Sequence, residues 1–188
     1  MAKISTPFPV SGRVGGFVFR RCGRDVIMSR RPRPSAVAPS DLQLERQARF
    51  RMAASYAKAV YADPVRKEMY RELAQRRRIP ASRLFGFIVR DHQKPPEILE
   101  IDTAAYQRHA GDTIRIDAID DLEVVAVDIR ISRLDDGTVL EQGAAAYTSP
   151  YWRYLAQAEA PAGVPLLVEV TAIDHADNRT TERRAIAT

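Results

Sequence analysis

The sequence has few of the residues that usually announce chemistry. A single cysteine, Cys22, rules out a disulfide framework and a thiolate metal cluster, and fits a reducing compartment. No apolar run approaches the roughly 18 residues that span a bilayer. The opening MAKISTPFPV has one lysine and lacks the continuous apolar stretch of a secretion signal. A cytoplasmic protein is therefore expected, with assembly into an exported particle left open. The three histidines, His92, His109 and His175, are scattered. No H-E-x-x-H, C-x-x-C or G-x-S-x-G pattern occurs, so zinc chemistry and a nucleophile elbow lack their residues. His175 beside Asp174 reads as part of an exposed loop, and Cys22 as a small turn residue. What remains offers no set of nucleophile, base and oxyanion donors, so the chain reads as a non-enzyme with no small-molecule substrate.

What the sequence does have is an imbalance of charge. Its 29 Lys+Arg and 24 Asp+Glu give a net charge of +5. Residues 1–90 hold 20 basic side chains against 6 acidic ones, and residues 91–188 hold 9 against 18. An asymmetry of this size suggests two modules with different partners. The stretch HQKPPE, where the sign changes, is expected to join a basic module, residues 1–92, to an acidic one, residues 97–188.

The basic module opens with SGRVGGFVFRRCGRDVIMSRRPR. Neither a P-loop nor the G-x-G-x-x-G dinucleotide fingerprint is present. The pattern is that of a hairpin: RVGGFVF and VIMSR as strands, a turn at Gly23, and a bulge or close backbone approach at Gly15 and Gly16. RPRPSAVAP then breaks regular structure. Ser40 with Gln43 forms a capping box for a helix to about Ala62, its stripe marked by Phe50, Ala53, Ala54, Ala57, Val60 and Tyr61. Asp63-Pro64 caps a second helix carrying Val65, Met69 and Leu73. SRLFGFIVRDH reads equally as a third short helix or as a strand.

Seventeen of the 20 basic residues in this half are arginines, whose planar guanidinium matches phosphate oxygens two at a time. Arg13, Arg20, Arg21, Arg24, Arg30, Arg31, Arg33, Arg76, Arg77 and Arg78 are the expected contacts to a polyanion, with nucleic acid favoured. Interleaved aromatics such as Phe17, Phe19 and Tyr56 suit base stacking in principle, but their spacing favours the core.

The acidic module shows period-two patterning in about seven short segments, from EILEID to TTERRAIA, separated by Asp/Gly turns. That is the pattern of an antiparallel β-sandwich. Asp136-Gly137 is a hairpin turn, and Trp152 and Tyr154 share an inward face. The loops holding Asp120, Asp121, Asp174, Asp177 and Asn178 are expected at one rim, where the four carboxylates could hold calcium.

The segments PPEILEID, AGDTIRIDAIDDLEVVAVDIRISRLDDGTVLEQGAA and VEVTAIDHADNRTT resemble bacterial immunoglobulin-like domains. Together with the upstream SGRVGGFVF, RRPRP and Q…R..F elements, they resemble a family of uncharacterised bacterial proteins over nearly the whole chain. The cysteine pair and intervening tryptophan of antibody domains are absent. The resemblance implies an α+β chain in which a β-hairpin and two or three helices precede an immunoglobulin-like sandwich. It carries over no catalytic residue and favours adhesion, assembly or binding. Two functions are expected. One is a non-enzymatic binding protein whose arginine-rich module engages a polyanion while the sandwich makes protein contacts. The alternative is a self-assembling structural subunit, of a phage-like or surface particle, with head-to-tail contacts between its basic and acidic parts.

Overall fold

Residues 2–4, 11–23, 25–32 and 38–187 are described in a computed structural model of the chain. Among them are three α-helices and three four-stranded antiparallel sheets, an α+β architecture. The chain divides into two compact units, Met1–Leu44 and Glu45–Thr188. This division falls well before HQKPPE, and it groups the helices with the acidic strands.

The first unit is a sheet rather than a single hairpin. Strands β1 (Ala2–Ile4), β2 (Gly12–Val14), β3 (Phe17–Cys22) and β4 (Asp25–Arg30) lie in the order β1-β4-β3-β2. The expected bulge at Gly15 and Gly16 is instead a two-residue turn that pairs Val14 with Phe17. Gly15 has φ +55°, a conformation that costs glycine little and suits the twist of a tight hairpin. Nothing packs within 4 Å of where either glycine would carry a Cβ, so no close backbone approach occurs there. Among the described residues of this sheet only Val26 is buried.

At the starts of the first two helices the capping signals hold, the first helix beginning four residues before the boundary between the units. Helix α1 (Asp41–Ala62) starts with the reciprocal bonds of a capping box: Gln43 N donates to Ser40 Oγ at 3.4 Å, and Ser40 N to Gln43 Oε1 at 3.1 Å. Asp63 caps α2 (Pro64–Arg76), accepting from Val65 N at 2.9 Å and Arg66 N at 3.2 Å. The segment that read equally as strand or helix is a 3-10 turn followed by α3 (Leu84–Gln93). Of its buried residues, Leu84, Phe87, Ile88 and Asp91 follow the i, i+3, i+4, i+7 spacing of one helical face, and Val89 is buried beside them.

The helices bury Ala53, Ala57, Val60, Tyr70, Leu73 and Ile88 in a core that also takes in Leu122 from beyond the linker. Three expected stripe residues lie outside it: Phe50 at 55% exposure, Val65 at 79% and the half-buried Ala54. The packed face of α1 begins only at Ala53. Eight residues of helix leave Val65 about 80° round from Leu73, so the buried face of α2 passes through Tyr70, Leu73 and Ala74 instead.

The remaining strands form two sheets. One is β5 (Glu97–Asp102), β6 (Thr113–Ile119), β10 (Tyr151–Leu155) and β9 (Ala146–Thr148), in that order; the other is β12 (Arg179–Ile186), β11 (Leu166–Asp174), β7 (Val124–Arg133) and β8 (Val139–Ala144). Ile114, Ile116, Trp152 and Tyr154 from the first share one core with Val127, Ile129, Ile131, Val168 and Val170 from the second. Gly143 packs closely there: a Cβ would stand 3.1 Å from the Tyr154 ring, which would have to give by a few tenths of an ångström. Asp136-Gly137 turns β7 into β8, with Gly137 at φ +74° and Thr138 N donating to Asp136 Oδ1 at 2.9 Å.

Candidate functional site

The ten arginines expected to grip a polyanion are divided between the two units. Arg24 and Arg33 lie outside the described residues. Arg13, Arg20, Arg21, Arg30 and Arg31 belong to the first unit and are exposed; Arg76, Arg77 and Arg78 belong to the second. Paired residues of an antiparallel sheet share a face. The registers Arg13↔Val18, Arg20↔Ile27, Arg21↔Val26 and Phe17↔Arg30 therefore put Arg13 and Arg20 on one face, and Arg21 and Arg30 on the other. Val14, Phe17, Phe19 and Met28 share the second of these faces.

Division at the observed boundary also changes the charge count. Residues 1–44 contain 8 Lys+Arg and 2 Asp+Glu, or +6. Residues 45–188 contain the other 21 and 22, or −1. Within that second unit, residues 45–90 carry 12 basic against 4 acidic, which the 9 against 18 of residues 91–188 offset. Part of this neutralisation is direct contact. The Arg77 guanidinium donates to the backbone carbonyls of Asp121 and Leu122. Arg90 Nε and Lys94 Nζ reach the two oxygens of Asp121 at 2.9 and 3.0 Å. Burial opposes the Asp121 charge, but Lys94 and Arg90 outweigh it and hold its carboxyl below the usual carboxylate range.

The same junction holds a buried polar chain that the sequence did not reveal. Asp91 is 1% exposed, and its Oδ2 lies 2.5 Å from the Tyr70 hydroxyl. Tyr70 Oη is 3.0 Å from Tyr56 Oη, which in turn is 3.1 Å from the backbone oxygen of His175 on the β11–β12 turn. Arg66 donates to Tyr56 Oη at 2.8 Å. Asn178 Nδ2 donates to the Asp91 backbone oxygen at 3.3 Å, tying α3 to the same turn. Asp91 Oδ1 is buried without a hydrogen-bond partner. Desolvation pushes the Asp91 carboxyl up to about 7 against the opposing bond to Tyr70, and the charges of Asp174, Asp120 and Asp121 add to that rise. Burial and the bond to Asp91 also raise Tyr70.

The four aspartates expected around calcium neighbour this chain. Asp120 Oδ2 accepts from Leu122 N and Glu123 N at 2.7 and 3.1 Å, closing its own turn. Asp121 is taken by Arg90 and Lys94. Asp174 Oδ1 accepts from Ala176 N and Asn178 N, each at 2.8 Å, and its Oδ2 from Asn178 Nδ2 at 2.7 Å. Asp177 is exposed at a φ of +62°. Among the described residues no cluster of three or more His, Cys, Asp or Glu side chains is placed to hold a metal ion. The oxygens of Asp121 and Asp174 are thus engaged by cations and amide donors, whereas Asp120 Oδ1 is buried without a hydrogen-bond partner.

The other residues weighed for chemistry are also engaged or isolated. His175 Nε2 lies 3.5 Å from Glu123, and His109 Nδ1 lies 2.8 Å from Glu159, 50 residues away in sequence. Cys22 is free and exposed at the end of β3. Among the described residues no helix is long and apolar enough to cross a membrane. Comparison with family models, with curated proteins and with solved structures finds no match.

Proposed function

We propose that this chain is a non-enzymatic binding and assembly protein whose N-terminal sheet, rather than its helices, makes the contact with a polyanion, nucleic acid being favoured. The observation that carries this reading is the charge of the first unit: 8 basic against 2 acidic residues, beside a second unit that is nearly neutral. Guanidinium groups on both faces of a thin sheet suit a phosphate chain that wraps an edge better than one lying flat on a single surface.

The second unit then serves as scaffold and protein-contact module, and we take its strands to be immunoglobulin-like. The orders β5-β6-β10-β9 and β12-β11-β7-β8 support this, because they follow the ABED and GFC sheets of that fold with β8 added beside C.

The test uses the full-length chain and a fluorescein-labelled DNA duplex, followed by anisotropy as salt is raised. Binding at low salt is expected, with a steep loss between about 50 and 200 mM. Replacing Arg13, Arg20, Arg21 and Arg30 with serine is expected to flatten the log–log salt slope by roughly 3 to 4, at about 0.9 per phosphate contact. No binding at low salt, or an unchanged slope in the variant, rejects the reading.

Head-to-tail assembly loses part of its electrostatic motive, because the acidic strands are offset by helices of their own unit. A groove of about 520 Å³, apolar along much of its length but also lined by Asp120, Glu123 and His175, still favours some self-association. Ile119, Val125 and Tyr147 line it and are 48%, 41% and 59% exposed. Light scattering at low and high salt tests this alternative, and a strict monomer at both removes it.

A further inference from the structure

Three gaps of hydrogen-bond length lie in series at the junction of helices and strands: Asp91 Oδ2 to Tyr70 Oη at 2.5 Å, Tyr70 Oη to Tyr56 Oη at 3.0 Å, and Tyr56 Oη to His175 O at 3.1 Å. Each gap needs one hydrogen between its oxygens. The backbone oxygen of His175 can only accept. Two tyrosines supply two hydrogens. The third can come only from a protonated Asp91.

With that proton present, the bonds run in one direction. Asp91 O–H donates to Tyr70, Tyr70 to Tyr56, and Tyr56 to His175 O, while Arg66 donates to the remaining lone pair of Tyr56 at 2.8 Å. With Asp91 ionised, two hydrogens must serve three gaps. Tyr70 turns to the carboxylate, and either the Tyr70–Tyr56 gap or the link to His175 is left with two oxygens facing each other unbonded. We infer that Asp91 carries a proton when the helices are seated on the β11–β12 turn, and that losing it breaks one link of the seat, making the junction a proton-operated clamp.

The surroundings reinforce this. Asp91 is 1% exposed and its Oδ1 has no partner, so a negative charge there is unrelieved on one side. On the strand side, Asp174 and the 120–121 loop present further carboxylates, and Asp177 adds its charge near Tyr56. The cations near the junction are already engaged: Arg66 with Tyr56, Arg77 with the loop carbonyls, Arg90 and Lys94 with Asp121. His92 of α3 lies against the Tyr56 ring at 4.8 Å, and the His175 ring is 6.4 Å from that of Tyr70, with Glu123 beyond it.

An acid whose proton is held more tightly in the folded chain contributes stability that is whole below its ordinary pKa near 4. That contribution is lost as pH rises through the folded value of about 7. The clamp therefore tightens on mild acidification and loosens above neutrality. His109, raised by its bond to exposed Glu159, acts in the same direction, so the measurement must be specific to Asp91.

The decisive experiment follows the side-chain carboxyl carbon of Asp91 by NMR across pH 4 to 8.5 in the intact chain and in Tyr56→Phe. A midpoint near neutrality is expected in the native chain, with a clear fall in Tyr56→Phe, where no third gap rewards the proton. A native midpoint in the ordinary carboxylate range overturns the inference. So does a neutral midpoint that Tyr56→Phe leaves unmoved, since desolvation alone would then account for it. As a second readout, Asp91→Asn replaces the acid hydrogen with an amide donor that does not titrate. Its melting temperature is expected to fall less than the native one between pH 5.5 and 8, and an equal fall counts against the clamp.

Discussion

The two compact units handle charge and burial in opposite ways. The N-terminal sheet buries one described side chain, Val26, and leaves its described arginines exposed on both faces. The larger unit builds two apolar cores and engages Arg77, Arg90 and Lys94 on the 121–122 loop of its own fold. Counted by halves of the sequence, the helices look like an extension of the basic sheet. Counted by compact unit, they are the counter-charge of the acidic strands. Charge predicts a partner only after the partners within the same fold have been subtracted.

The hardest way to break this contrast is through the cores. Ile131 is fully buried between the two sheets, so Ile131→Ala removes three methyl or methylene groups from a close-packed site. A loss of about 2 to 5 kcal/mol is expected in denaturant unfolding of the larger unit. Val14, 63% exposed in the small sheet, is the matched control. Val14→Ala is expected to cost less than about 0.5 kcal/mol. Comparable losses at both positions would erase the distinction between a cored unit and a bare one.

Next in size is the helix–strand junction. Arg77 was expected to face a polyanion, and it spends its guanidinium on two carbonyls of the 121–122 loop. Arg77→Ala should therefore lower stability by about 1 to 2 kcal/mol, the usual worth of charge-assisted bonds after allowance for solvent exposure. The same change should leave the salt slope of DNA binding where it was. The opposite pattern, unchanged stability with a flattened slope, would return the helices to the binding surface.

Local signals were legible in the sequence because they are satisfied within a few residues. Ser40 with Gln43, Asp63 with Pro64, the Asp136-Gly137 turn and the alternating strands β6, β7 and β11 each need only their neighbours. Strand β9 was missed because Ala146, Tyr147 and Thr148 are all exposed and carry no alternation to read. Gly15-Gly16 reads in the sequence as a bulge or close backbone approach because its role depends on which strands pair. The Asp91 chain was hidden for a different reason. Beside His92 at a helix end, an aspartate looks like surface, and only a firm helical reading of 84–93 places it in register with Leu84, Phe87 and Ile88. That spacing was the available signal. Its partners Tyr56 and Tyr70 lie on two other helices, and no local pattern links the three.

The gentlest comparison sets one helix cap against another. Asp63 bonds two amides at the start of α2, a helix that buries Tyr70, Leu73 and Ala74, so Asp63→Ala should cost the larger unit about 1 kcal/mol. Ser40 makes an equivalent reciprocal pair, yet the first buried residue of α1 is Ala53, three turns further on. Because nothing packed depends on that first turn, Ser40→Ala should release the amides of Gln43 and Leu44 to exchange while moving the global unfolding midpoint by no more than a few tenths of a kcal/mol. An equal loss from both substitutions would mean that the start of α1 is coupled to the core as tightly as α2 is, and that the boundary at Leu44 does not separate two units in stability.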